Sequence, residues 1–236
     1  MVARIHGKDG VILLNSLAVT AQTNGWSFTH RRNYSMVACI GDTGERFDPG
    51  LLSGAVMLKG FVDTTNGLLS SAIAANGVDN SLLTSFLPGT PAVGSIALIA
   101  VSDFSSYEAP ATVTDTVPLT IQGQPDDGVD MGFVLHAPGA ETADGNGTSL
   151  DNAAATSNGV VATLHLTAYS GLTNIVVKVQ HSTDNSSWSD LVTFATATAV
   201  TSERVKTTST VNRYLRAFWD VTGTGSATFT VAAARR

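Results

Sequence analysis

From Ala55 to Val62 the chain shows two alternating sets of residues: Val56, Leu58, Gly60 and Val62 on one face, Ala55, Met57, Lys59 and Phe61 on the other. A period of two is the signature of a strand and is incompatible with an amphipathic helix. The segment ahead of it, Gly41–Gly54, is polar and broken by Gly41, Gly44, Pro49, Gly50 and Gly54. That composition predicts neither helix nor strand, but a long loop feeding the strand. A loop of this kind is a natural place for contacts with neighbouring molecules.

Short apolar runs recur along the chain. Val11–Leu14 reads as a strand with Ser16–Thr20 as its hairpin return, and Trp26–Phe28 with Tyr34–Ile40 as one long strand or a strand pair. Ser95–Val101 and Gly132–His136 read as strands, with a turn at Asp126–Asp130 between them. Val117, Leu119 and Ile121 alternate with Pro118, Thr120 and Gln122; Pro118 has no amide hydrogen, which places it at a sheet edge or a strand start. One window reads as helix: Asn66 as N-cap, Leu68, Leu69, Ala72 and Ile73 on one face, and Gly77 past the end. Ser81–Leu87 repeats that spacing before Pro88 and predicts a further helical turn or two.

Pro138–Asn158 is rich in Gly, Ala, Asn and Thr and predicts a linker or a long lead-in loop. Beyond it, Val160–Ala168, Ile175–His181, Leu191–Ala197, Glu203–Thr208, Tyr214–Val221 and Ala227–Ala233 read as the strands of a small β-sandwich. Its core anchors are expected among Trp188, Phe194, Tyr214, Phe218, Trp219 and Phe229. The expected fold is mainly β: a sandwich or barrel with one short helix over residues 1–138, a connection at 139–158, and a second sandwich at 159–236.

Charge limits the function classes. Lys, Arg, Asp and Glu make up only 14% of the 236 residues, against roughly a quarter in an average soluble domain. A surface so poor in charge suits burial in assembly contacts. Residues 1–138 hold six basic and twelve acidic side chains, giving −6, and residues 139–236 hold seven of each, giving zero, in agreement with the total of −6. An acidic first half argues against gripping nucleic acid, which needs clustered Lys and Arg, but it leaves passage near nucleic acid open.

Cys39 is the single cysteine, so neither an intrachain disulfide nor a cysteine metal site can form. Its apolar neighbours predict a buried structural thiol. The start, Met1–His6, lacks the apolar core of a signal peptide, and no apolar run approaches the roughly 20 residues that span a bilayer. Folding in a cytoplasm is expected, and the sequons at Asn33, Asn146 and Asn185 are read as chance matches. The five histidines have no metal-ligand spacing, and no nucleotide loop, dinucleotide fingerprint or nucleophile elbow occurs. Asp126, Asp127 and Asp130 read as a solvated turn or, alternatively, a cation site. No catalytic set, metal or cofactor is expected.

In the order of its parts the first half resembles the major tail tube proteins of long-tailed bacteriophages, a fold shared with the type VI secretion tube protein. The resemblance lies in the short strand after Met1–Lys8, the long strand pair, the loop Gly41–Gly54, the strand Ser53–Asp63, the helix, and the closing strands through Gly128–His136. The C-terminal block, with Gln180–Leu191 and Val211–Arg216, is similar to sandwich modules at the ends of phage tail proteins. The resemblance implies a virion protein assembled in the bacterial cytoplasm. Its hexameric rings would stack into a tube that DNA crosses during ejection without specific binding, and tape measure, tail terminator and distal tail proteins would be its partners. It also implies ring-stacking contacts at Asp42, Glu45, Arg46, Phe47 and Asp48, for which an ordinary solvated loop is the alternative. Met57, Lys59 and Phe61 would face the lumen or a neighbouring subunit. A capsid decoration or other head–tail protein, and a carbohydrate-binding sandwich protein, are the alternative readings.

Overall fold

The computed structural model describes residues 7–62, 81–111 and 116–236. Three long strands carry the architecture: β7 (Pro118–Glu141), β10 (Val160–Ser182) and β13 (Tyr214–Arg235). Around them lie β1 (Val11–Leu14), β2 (Leu17–Ala18), β3 (Thr23–Met36), β4 (Phe47–Phe61), β5 (Ser81–Leu87), β6 (Ile96–Glu108), β8 (Gly145–Asn146), β9 (Leu150–Asp151), β11 (Ser189–Thr193) and β12 (Thr201–Thr207). The fold is mainly β, and the helical segments among the described residues are 3-10 turns at Gly7–Asp9 and Thr20–Gln22. The helix expected over Asn66–Gly77 lies outside the described residues.

Among the described residues the pairings between these strands are all antiparallel, and the path runs β11-β10-β13-β7-β6-β5-β1-β2. β7 does double duty. Its first part, Pro118–Gly123, pairs with β4, while Phe133–Glu141 pairs with β13, and β6 accompanies it on the other side from Thr120 to Phe133. Between these parts Val101 pairs with Asp126 and Ile99 with Asp130, so three residues of β7 stand opposite the single Ala100 of β6. Asp127 and Gly128 take positive φ there, 61° and 77°. The expected turn at Asp126–Asp130 is therefore a wide bulge inside one strand, and it bends β7 from one sheet layer to the next.

β10 and β13 each replace two expected strands. Register shifts at Leu166/Ala168, Ser170/Leu172 and Leu172/Asn174 bend the ribbon without ending it. Both ends of each strand then contribute to one core: Leu164 and Leu166 with Val177 and Val179, Phe229 and Val231 with Leu215, Ala217 and Trp219. The bent ribbon packs on itself as a sandwich. The 139–158 segment carries β8 and β9, both paired to β13.

Ser81–Leu87 is a strand, where helical spacing had predicted a helix. A short run that is apolar on both faces cannot be assigned by periodicity alone. Here Leu82 and Phe86 enter the core built from β1, β4, β6 and β7, while Leu83 and Leu87 enter a second core with Val134, Ala232 and Ala234. That second core joins residues from the two halves of the chain. His165 of β10 closes it: its ring reaches Ser85 on β5 and the Asn15 carbonyl between β1 and β2, so the sheet curls almost into a barrel.

Candidate assembly surface

Four strand segments form one antiparallel sheet in the order β3, β4, β7 and β6, using the first part of β7 and the last part of β6. Its core face carries Trp26, Phe28, Val56, Leu58, Leu119 and Ile121. Met57, Lys59 and Phe61 project from the opposite face, as the alternation of Ala55–Val62 required. Register places Ser27 and Thr29 beside them on β3, and Thr120, Gln122 and Gln124 on β7. Lys59 is exposed, and its direct register partners, Gly25 on β3 and Thr120 on β7, are uncharged.

Among the described residues both margins of this sheet are open. Among the described residues β3 pairs only with β4, and Ser106–Glu108 of β6 only with β7. An unpaired strand edge offers its amide and carbonyl groups to another chain. With four antiparallel strands, the two outermost run in opposite directions.

Beyond Ala55 the β3–β4 ribbon leaves the body and continues as a two-stranded arm. Its pairing runs from Thr29 opposite Ala55 to Met36 opposite Phe47, a reach of about 25 Å at roughly 3.3 Å per residue. The tip is residues 37–46, held by Val37 N donating to Arg46 O and by Cys39 N donating to Asp42 Oδ2, 2.8 Å each.

This corrects two expectations. The loop is shorter than Gly41–Gly54, because Phe47–Gly54 is strand; Phe47 pairs with Met36 and Asp48 with Ser35, while Asp42, Glu45 and Arg46 lie in the tip. Pro49 is tolerated because the arm is only two strands wide and a register shift between Arg32 and Tyr34 relaxes the ladder beside it. Cys39, expected to be buried, is exposed, because the tip has no body to pack against.

The arm is apolar where an exposed ribbon would be expected to be polar. Tyr34 is 63% exposed, Met36 65%, Phe47 51% and Leu51 84%. Alternation along the sequence was no guide here, since beyond the base of the arm neither face is covered. Apolar surface this extensive on one element marks an interaction site.

No group of three His, Cys, Asp or Glu among the described residues is placed to hold a metal. Asp127 and Asp130 are engaged by Arg204, Lys206 and Arg236 at 2.8–3.4 Å, a clasp joining the β7 bulge to β12 and to the residue after β13. Hydrogen bonds from Arg236 and then Lys206 hold the Asp127 carboxyl far below the usual carboxylate range.

No protein-family model matches this chain, and no curated protein does. Among solved structures it is similar to the tube-terminating cap of the anti-feeding prophage, at 14% identity over 56% of this chain and 92% of that one, with a TM-score of 0.44. It is also similar to the Dit protein of phage SPP1, at 10% identity over 95% of this chain and 98% of that one, TM-score 0.36. A chain of the activated phage p2 baseplate matches at 9% identity over 96% and 98%, TM-score 0.37.

Proposed function

We propose that this chain is a structural, non-enzymatic subunit of a phage tail that joins copies of itself sheet edge to sheet edge into a closed ring, stacked as the tail tube. The observation that carries the reading is the four-stranded sheet with two open margins of opposite direction. The β3 edge of one copy and the β6 edge of the next meet antiparallel, so the same pairing repeats from copy to copy without a direction clash. Closure in a ring then removes both exposed edges.

Within this reading the face bearing Met57, Lys59 and Phe61 lines the bore or a subunit boundary. Its Ser, Thr and Gln side chains offer no cluster of cations to hold phosphate, which suits a conduit for DNA. Asp42, Glu45, Arg46, Phe47 and Asp48, at or beside the arm tip, make contacts between rings. The proposed ring is hexameric, and residues 159–236 decorate its outside, connected through 139–158.

Light scattering across a concentration series tests the reading. A mass that rises in ring-sized steps is expected. A constant monomer mass at every concentration overturns it.

A further inference from the structure

The arm does not leave the body cleanly: its base and the C-terminal part of β7 enclose a groove. His30 and Leu52 of the arm form one wall, Val129 and Met131 the floor, and Arg235 the far side. The same floor continues past Met131 to Phe133, with Leu150 and Ala153 beyond. Met131 is 60% exposed and Phe133 42%, and both lie outside the cores described above.

The electrostatics of groove and tip are opposite. Acidic groups at the groove are already occupied: Asp130 by Arg204 and Arg236, Asp151 by Arg213. Arg236 at the groove is ion-paired in turn, but among the described residues Arg235 and the neighbouring Arg32, which pairs with Leu52 across the arm, are not. Arg32 Nε donates to the Gly50 carbonyl, and the Arg235 guanidinium donates to the carbonyls of Asn152 and Ala154, so neither meets a carboxylate. The arm tip shows the reverse. Residues 37–46 carry Asp42 and Glu45 against Arg46, a net charge of −1, with Asp48 following in the strand, and the ion pairs among the described residues include none of the four. Around those charges stand the exposed apolar side chains of Met36, Ile40 and Phe47.

We infer that the groove between the arm base and β7 receives the arm tip of a second copy of this chain. Apolar tip residues cover Met131 and Phe133, and the acidic tip faces Arg32 and Arg235. The contact joins two different surfaces of the same molecule, so it is heterologous: every copy gives an arm and accepts one, and the contact propagates. The inference rests on the self-assembly reading above and names the partner surface that the arm requires.

Cys39, the single cysteine, is exposed at the tip and serves as the probe. In the Met131→Cys variant, mild oxidation is expected to give an intermolecular disulfide between positions 39 and 131, identified by mass spectrometry of the linked peptides and absent when Cys39→Ser is added. Met131→Glu with Phe133→Glu replaces exposed residues. This variant is expected to melt as the parent does and to need at least ten-fold more protein to assemble. A parent chain that assembles, with no 39–131 link and with the double-Glu variant assembling at the parental concentration, overturns the inference and leaves the ring reading standing. A parent chain that is monomeric throughout overturns both.

Discussion

The Ser85 hydroxyl donates to His165 Nε2 across 2.7 Å and so binds β5, from the first half of the chain, to β10, from the second. The other ring nitrogen therefore carries the proton and donates to the Asn15 carbonyl at 2.6 Å. Asn15 is itself fixed, its side-chain oxygen accepting from Leu83 N at 2.9 Å. One neutral imidazole thus joins three elements inside the core that the two halves share.

Burial lowers the His165 pKa from 6.5 to about 4, against a smaller opposing effect of the bond to Asn15. As pH falls below 6.5 the unfolded chain binds a proton at this ring and the folded chain does not, so stability is lost between pH 6.5 and about 4. The loss amounts to about 3 kcal/mol. Urea unfolding at a series of pH values is expected to show this extra decline in the parent and not in His165→Gln. Parallel pH curves for the two proteins would show that the ring is not held neutral.

Asp130 is nearly buried and meets Arg204 and Arg236, whereas Asp127 beside it is about a third exposed. Removing the buried carboxylate leaves the Arg204 guanidinium only its longer, 3.4 Å contact to Asp127, while the exposed carboxylate is partly screened. Asp130→Asn is expected to cost about 2–4 kcal/mol, and Asp127→Asn no more than about 1 kcal/mol. Denaturant midpoints of the two variants check the order.

The arm contributes nothing to the cores, since Arg31–Pro49 includes none of their residues. Replacing residues 33–50 by an Asn-Gly turn, which favours a tight hairpin, is expected to leave the melting temperature within a few degrees of the parent. The same change is expected to abolish stacking of rings, as seen by sedimentation. A large loss of stability would mean that the arm packs on its own body.

A chain ended at residue 138 loses β13 from the margin of β7, and with it Ala232 and Ala234 from the core that also holds Leu13, Leu83, Leu87 and Val134. It loses His165 as well. The shortened chain is expected to be insoluble or to lack a cooperative melt, even though residues 1–138 read as a domain in the sequence. A soluble fragment with a sharp thermal transition would establish that the first half folds alone.

The sequence was most informative where one face of a strand is covered. Ala55–Val62 shows its faces directly, because Val56 and Leu58 are buried while Lys59 and Phe61 are exposed. Ser81–Leu87 was misread because β5 is covered on both faces, which removes the alternation that distinguishes a strand. Phe47–Gly54 was misread for the opposite reason: with neither face covered over Phe47–Leu51, nothing in the pattern opposes Pro49 and Gly50, and pairing with β3 alone makes it a strand. Cys39 follows the arm, its apolar neighbours reading as core when they are surface. The groove had no local signal, since it brings His30 and Leu52 together with Met131 and Arg235 only after folding.

Negative-stain electron microscopy of the purified chain at high concentration tests the central claim most directly. Closed rings of uniform size, alone or stacked into hollow tubes, are the predicted result. A field of separate particles the size of one chain, unchanged at the highest concentration, would contradict the account.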